Sequence, residues 1–136
     1  MNKILALDIG DVWVGTALSD ALQILAKPLQ TIKADQLIDF IKTITAKEQI
    51  TTIIIGNPRT LKGTDSQQTK KVAQTTEALK TTFPELSFIL WDERLSSKRA
   101  ESLQKAISKE EKIKSHSRAA AFILDSYLIY KKGTLY

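Results

Sequence analysis

Two acidic residues occupy positions where a carboxylate is unusual. Asp8 lies between Leu7 and Ile9 at the end of an apolar run, where desolvating an unpaired carboxylate would be costly. Glu93 comes just after a second apolar run, which ends at Trp91. Because Mg²⁺ takes oxygen ligands and keeps several waters, two carboxylates that converge on one place suit a divalent hard cation.

Each acid also has a structural interpretation that needs no ligand. Asp8 is a suitable turn-forming residue before Gly10, and Glu93 could form an ion pair with the neighbouring Arg94. In open α/β sheets, ligands bind at the carboxyl ends of the strands. The positions of Asp8 and Glu93 in such a sheet therefore decide between the two interpretations.

The spacing of apolar residues predicts alternating strands and helices. The strands cover residues 3–9, 11–19, 29–32, 51–55 and 86–91, and the helices cover residues 34–47, 65–82, 97–107 and 117–131. The first two strands form an antiparallel hairpin with Gly10 in the turn. Helices separate the later strands, which predicts parallel pairing through right-handed crossovers. The expected fold is α/β, a mixed five-stranded sheet with helices on both faces, in which Asp8 and Glu93 end strands that lie close together.

The composition is typical of one soluble globular domain over residues 1–136, with 43% hydrophobic and 26% charged residues. The chain has no cysteine, which excludes disulfides, thiolate metal sites and cysteine nucleophiles, and its single histidine excludes a poly-histidine metal site. No apolar run approaches the roughly 18 residues that a membrane helix needs. The apolar stretch near the N-terminus is too short for a signal peptide. We therefore expect a cytoplasmic protein that does not enter membranes.

Basic residues outnumber acidic residues by 20 to 15, which gives a formal net charge of +5. The excess is concentrated in residues 98–118, which contain seven basic and three acidic residues. The basic residues of this segment are Lys98, Arg99, Lys105, Lys109, Lys112, Lys114 and Arg118. The segment fits a polyanionic partner such as a nucleic acid, and it equally fits a solvated helix face with a loop.

Several motifs together resemble those of one family of small proteins. The motifs are LALDIG at residues 5–10, VGTA at 14–17, IGNP at 55–58 with Gly63 beyond it, WDERLSS at 91–97 and AAAFILDSYL at 119–128. Their order, their spacing and the total length are similar to those of the YqgF family over residues 3–131. Members of this family are ribonuclease H-like proteins, described as nucleases of pre-16S ribosomal RNA and earlier as Holliday-junction-resolvase-like.

The resemblance implies a nuclease that depends on Mg²⁺ or Mn²⁺. It makes Asp8 and Glu93 the counterparts of the family's first two catalytic acids, which are also metal ligands. The third acid of the family, an Asp at the start of the last helix, corresponds to His116, so this chain departs from the pattern there. By the resemblance, Asp8 would bridge the metals, Glu93 would hold one of them and His116 would complete the ligand set.

His116 has a functional and a structural interpretation. A neutral imidazole could ligate a transition metal such as Mn²⁺, and a protonated one could assist the leaving group. Alternatively, the third carboxylate has been lost and His116 only packs against the fold or caps the helix. We do not expect Asp125 to replace it, because nine helical steps of about 100° place Asp125 on the opposite side of the helix from His116.

Three functions follow from these expectations. The first is hydrolysis of phosphodiester bonds at the 5′ end of pre-16S ribosomal RNA, with structured precursor RNA as the partner. The second is cleavage of branched DNA by a junction resolvase, which would require a dimer, and the third is nucleic-acid binding with weak or lost catalysis. We expect a monomer or weak homodimer. Contacts with the phosphate backbone are expected from Arg59, Lys62, Arg94, Lys98, Arg99, Lys112, Lys114 and Arg118.

Overall fold

The computed structural model describes residues 2–58, 67–92 and 109–133, with side chains in the last segment described from Lys114 onward. Its elements are β1 (Lys3–Ile9), β2 (Trp13–Ser19), β3 (Ala26–Lys33), a 3₁₀ turn (Ala34–Gln36), α1 (Leu37–Lys47), β4 (Ile50–Asn57), α2 (Gln67–Thr82), β5 (Ser87–Asp92) and α3 (Lys109–Gly133). The helix predicted over residues 97–107 lies outside the described residues. None of the described helices is both long and apolar enough to cross a membrane.

The five strands form one mixed sheet in the spatial order β3-β2-β1-β4-β5. The first three strands along the chain pair in antiparallel fashion, as β1 with β2 and β2 with β3. Strand β4 pairs in parallel with β1 on one side and with β5 on the other. The structure thereby confirms the predicted hairpin, the predicted parallel pairing and the five-stranded sheet.

Strand β1 is apolar along most of its length because helices cover both faces of the sheet. Leu5, Leu7 and Ile9 pack in one core cluster with buried residues of α1 and α2. Ile4 and Ala6, on the other face, pack in a second cluster with buried residues of α3. Because side chains alternate along a strand, Asp8 belongs to the face that α3 covers.

Helix α3 begins at Lys109, so the predicted start at residue 117 is wrong by eight residues. Residues 109–116 lack the apolar stripe from which the helix was predicted, because this end of α3 is rich in charge. Lysine and glutamate are nevertheless good helix formers.

Strand β3 is longer than the predicted residues 29–32 and contains Pro28, which is tolerated because β3 lies at the edge of the sheet. Leu29 and Gln30 together lie opposite Thr16, which makes a β-bulge. The buried hydroxyl of Thr16 donates to the carbonyl of Gln30 and accepts its amide N–H at 3.0 Å. This side chain therefore satisfies backbone groups of Gln30 where the bulge interrupts the regular ladder.

Gly15, in β2, is the point at which α3 lies directly on the sheet. A Cβ atom added to Gly15 would lie 1.9 Å from the carbonyl oxygen of His116 and 2.8 Å from the backbone nitrogen of Ser117. These are backbone atoms, which cannot move aside as a flexible side chain can. Only glycine therefore allows α3 to pack this closely against β2.

We predict that Gly15→Ala lowers the free energy of unfolding by at least about 3 kcal/mol, the upper part of the usual range for overpacking. Gly133→Ala is the matched control, because a Cβ atom there has no neighbour within 4 Å. It should change the stability by less than about 0.5 kcal/mol. Urea denaturation measures both values, and equal stability of the two variants would contradict the close contact at Gly15.

Candidate functional site

Asp8 lies near the carboxyl end of β1, the central strand, on the face that α3 covers. It is directly opposite Gly15 in the antiparallel ladder, and it is partly buried, whereas Leu7 and Ile9 are buried. Because paired residues of neighbouring strands share a face, Asp8 lies beside the point where α3 contacts β2. Its carboxylate is therefore placed at the boundary between the α3-side core and solvent.

The turn after β1 brings the imidazole of His116 close to this strand end. The amide of Gly10 donates a hydrogen bond of 2.9 Å to the carbonyl of Trp13, which closes the turn. A Cβ atom at Gly10 would lie 2.8 Å from that carbonyl oxygen and 3.9 Å from Cε1 of His116. His116 therefore lies over the turn that follows Asp8, with its backbone on Gly15 and its ring beside Gly10.

His116 and Asp125 occupy different parts of α3. His116 lies within α3, seven residues after its start at Lys109, and not at the start of the helix as the sequence suggested. Asp125 lines a pocket together with Ala26 and Pro28 of β3, away from the end of β1. The structure therefore places His116, and not Asp125, near Asp8.

The carboxyl ends of the parallel strands meet at one edge of the sheet. Leu7 of β1 pairs with Ile55 of β4, which in turn pairs with Leu90 of β5, so the three strands are aligned. Glu93 is the residue after the last residue of β5, Asp92. The strand ends thus converge as predicted, although Glu93 itself lies outside the described residues.

Most of the predicted phosphate contacts fall where the structure gives no description. Arg59, Lys62, Arg94, Lys98 and Arg99 lie outside the described residues. Lys112 belongs to α3, but its side chain is also outside the description.

Lys114 and Arg118 are described and exposed, and both line a groove against Gln30 and Thr31 of β3. These two cations are therefore on the β3 side of α3, whereas Asp8 is on the β1 side.

Helix α2 holds the ends of β1 and β4, a role that the sequence did not indicate. The side-chain amide of Gln68 donates a hydrogen bond to the carbonyl of Ile9, the residue after Asp8. The hydroxyl of Thr69 donates to the carbonyl of Pro58 at 2.7 Å, and the ammonium of Lys71 lies 3.1 Å from Oδ1 of Asp11. These side chains fix the backbone on either side of the candidate site.

Trp91 joins the end of β5 to α3. Its indole nitrogen donates to the hydroxyl of Ser126 at 3.2 Å. Its ring lies edge-on to Tyr127 with centroids 5.3 Å apart, and 5.1 Å from the ring of Tyr130. Edge-to-face aromatic pairs contribute about 0.5–1.5 kcal/mol beyond area burial. Trp91 therefore positions the strand end that leads to Glu93.

The side chains of Asp8 and His116 differ in the metal ions that they could bind. Carboxylate oxygens suit Mg²⁺ and Mn²⁺, and imidazole nitrogen suits transition metals. Within residues 2–58, 67–92 and 109–133, no group of three His, Cys, Asp or Glu side chains is arranged to hold a metal. A metal site built from three such side chains would need a residue outside these ranges, such as Glu93, which follows the aligned strand β5.

A family model described as RuvX, Holliday junction resolvase, matches residues 2–130 of this chain. A Fusobacterium nucleatum protein named "Putative pre-16S rRNA nuclease" is 35% identical over 138 residues, which cover 97% of this chain and 100% of that protein. A protein of the same name from Sulfurihydrogenibium sp. is 37% identical over 131 residues, which cover 94% and 90% of the two chains. These matches confirm the resemblance that the motifs indicate.

A solved structure of Thermus thermophilus RuvC, in complex with a Holliday junction substrate, has a similar fold. The TM-score is 0.63 at 12% sequence identity, and the match covers 98% of both chains. At this identity the likeness concerns the fold alone. It confirms the mixed α/β fold that the sequence pattern predicts and the ribonuclease H-like fold that the family resemblance implies.

The contacts of α2 yield a prediction for stability. Gln68→Ala removes the partner of the Ile9 carbonyl and should lower the free energy of unfolding by about 1 kcal/mol, the usual contribution of one hydrogen bond. Lys71→Ala removes an ion pair with Asp11 and a hydrogen bond to its carbonyl, both exposed to solvent, and should cost less than about 0.5 kcal/mol. Denaturant unfolding of the two variants tests this order, and the reverse order would show that Gln68 does not hold the strand end.

Proposed function

The chain belongs to the RuvX family, and on that basis we propose that it is a metal-dependent nuclease that hydrolyses phosphodiester bonds in the 5′-end processing of pre-16S ribosomal RNA. The family model supports a nuclease, and the names of the curated relatives support the ribosomal precursor as substrate. The structural observation that carries the proposal is the partly buried Asp8, the last residue but one of the central strand, on the face that α3 covers.

We propose that Asp8, Glu93 and His116 hold the divalent cation, either Mg²⁺ or Mn²⁺. Asp8 supplies carboxylate oxygens from the end of β1, and Glu93 would supply them from just beyond β5. His116 is the nitrogen donor, which favours Mn²⁺ over Mg²⁺. When bound, such a cation activates the attacking water and stabilises the charge that develops on the leaving oxygen.

The chain's own residues contribute position and charge. The hydrogen bond from Gln68 and the turn at Gly10 hold the backbone after Asp8, which limits movement of the strand end that carries its carboxylate. Such fixed positioning lowers the part of the barrier that comes from bringing reacting groups together. Arg94, which follows Glu93, would brace that carboxylate or contact a phosphate.

We propose that the phosphate backbone of the substrate is held mainly by basic side chains. The net charge of +5 and the exposed positions of Lys114 and Arg118 support this proposal. The remaining proposed contacts are Arg59, Lys62, Lys98, Arg99 and Lys112. Contacts of this kind position the substrate without reading its sequence. A ribosomal precursor as substrate would place the protein in the cytoplasm. We also propose that the protein forms one domain over residues 1–136 and is a monomer or weak homodimer.

A second candidate function is cleavage of branched DNA, which the description of the family model favours. Side-by-side cleavage of precursor RNA and of a four-way DNA junction, with Mg²⁺ or Mn²⁺, distinguishes the two functions. Preferential cleavage of the RNA supports ribosomal processing, whereas preferential cleavage of the junction supports the resolvase. Binding of both without cleavage of either would support a nucleic-acid-binding protein with weak or lost catalysis.

Loss of a residue that only supports a metal ligand usually lowers activity by roughly 10–100-fold. We predict that Asp8→Asn lowers kcat by more than this. The reason is that the amide removes the negative charge from the cation site. Asp35→Asn, an exposed aspartate in the 3₁₀ turn, is the control with the same change in charge. RNA affinity measured in EDTA should be nearly the same in both variants. Turnover of Asp8→Asn equal to that of the wild type would make Asp8 a turn residue only.

We predict that His116→Asp raises cleavage supported by Mg²⁺, because a carboxylate completes an all-oxygen ligand set. His116→Ala should lower cleavage supported by Mn²⁺, because it removes the nitrogen ligand. Asp125→Asn, which alters the β3 side of α3, is the control and should leave kcat at saturating RNA unchanged with either metal. Cleavage assays with each metal measure these rates. Loss of activity in Asp125→Asn, with both His116 variants unaffected, would show that Asp125 and not His116 is the third metal ligand.

A further inference from the structure

A groove runs between the edge strand β3 and helix α3. It has two adjoining parts, which share Pro28 and Arg118 as lining residues. The part beside Lys114, Gln30 and Thr31 has a volume of about 470 Å³. The other part, beside Phe122 and Asp125, has a volume of about 350 Å³. The groove is therefore continuous along α3 and changes in character from one end to the other.

Helix α3 separates this groove from Asp8. The backbone of α3 lies directly over Gly15 of β2, since a Cβ atom at Gly15 would collide with the carbonyl of His116. Strand β1, which carries Asp8, is on one side of β2, and β3, which carries Thr31, is on the other. A molecule in the groove would thus lie on the opposite flank of α3 from the candidate catalytic carboxylate.

The charges in the groove favour an anion at one end only. Lys114 and Arg118 are exposed, and the rise of 1.5 Å per residue places them about 6 Å apart along α3. Within the described part of the chain, no carboxylate forms a salt bridge with either of them. Asp125 lines the other end and would repel a phosphate there. Phosphates would therefore occupy the end beside Lys114 and Arg118.

The other end of the groove has the chemistry of a nucleobase site. Its lining includes Pro28, Ala121 and the ring of Phe122, which is partly buried and not fully enclosed. Aromatic side chains bind unpaired bases of any sequence by stacking, which contributes about 1–3 kcal/mol per base. A base within a duplex has both faces covered by its neighbours and could not occupy such a site.

We propose that the groove between β3 and α3 binds an unpaired nucleotide of the substrate, in a part of the nucleic acid away from the cleaved phosphodiester. Its flanking phosphates contact Lys114 and Arg118, and its base packs on Phe122 and Pro28. The identity of the ligand as nucleic acid rests on the proposed function. The unpaired nucleotide and its place on the far flank of α3 go beyond that function, and they give the protein a preference for substrates with a single-stranded segment.

The phosphate contacts are tested by binding of a short, labelled single-stranded RNA, followed by fluorescence anisotropy in EDTA. Lys114→Gln/Arg118→Gln should weaken binding by about tenfold or more. It should also make the slope of log K against log salt shallower by about 1.4, since each phosphate contact on a single strand contributes about 0.7. Lys42→Gln/Lys47→Gln, on α1 at the opposite face of the sheet, removes the same charge. Equal weakening by the two double variants would overturn the proposal.

The base site is tested with Phe122→Leu, which keeps apolar volume but loses the aromatic ring, and with Phe122→Tyr, which keeps the ring. Phe122→Leu should weaken binding of the single strand by at least about fivefold, the lower limit that stacking of one base predicts. Phe122→Tyr should bind as the wild type does. A strand of abasic sugars should not distinguish the three proteins. Wild-type affinity in Phe122→Leu would overturn the base site.

The outcome is separable from that of the proposed function, because no cleavage occurs in EDTA. If the groove variants lose affinity while precursor RNA is never cleaved with any metal, the groove is supported and the proposed nuclease function fails. If precursor RNA is cleaved but the groove variants bind as tightly as the wild type, the nuclease function is supported and the groove proposal fails.

Discussion

The absence of a side chain at Gly15 determines how α3 lies on the sheet. The carbonyl of His116 occupies the volume that a Cβ atom would need, so the helix packs backbone to backbone on β2. This contact brings the ring of His116 to the turn after β1, and it sets which residues of α3 face Asp8 and which face β3. Both flanks of the helix therefore depend on one glycine in the second strand of the hairpin.

Side chains from distant parts of the chain hold the strand ends that surround Asp8. Gln68 and Thr69 of α2 are not members of the core cluster around β1. Each of them donates a hydrogen bond to a backbone carbonyl at or just after the end of a strand. Trp91 joins the end of β5 to Ser126 of α3 in a comparable way. Strands lose ladder partners where they end, and these side chains satisfy or fix the backbone there. The site is therefore positioned by both helical layers together.

The elements that could be predicted from the sequence are those whose burial leaves a clear pattern. Strand β1 has an almost continuous apolar run, so the single acid within it, Asp8, was conspicuous. The first turns of α3 are charged and carry no apolar stripe, so the start of that helix was missed. Contacts such as that of Gln68 depend on a partner far along the chain. Gly15 was visible in the sequence, but a glycine in a strand can mark a bulge, a bend or a close approach, and only the structure distinguishes these.

The irregular edge strand β3 affects how copies of this protein can meet in solution. An exposed strand edge offers backbone donors and acceptors to any other strand, which is a common route to aggregation. Pro28 removes one donor from β3, the bulge opposite Thr16 bends the strand, and the exposed Lys27 and Lys33 add charge to it. Each of these features opposes the joining of two sheets through β3. Self-association into a continuous intermolecular sheet is therefore disfavoured at this edge.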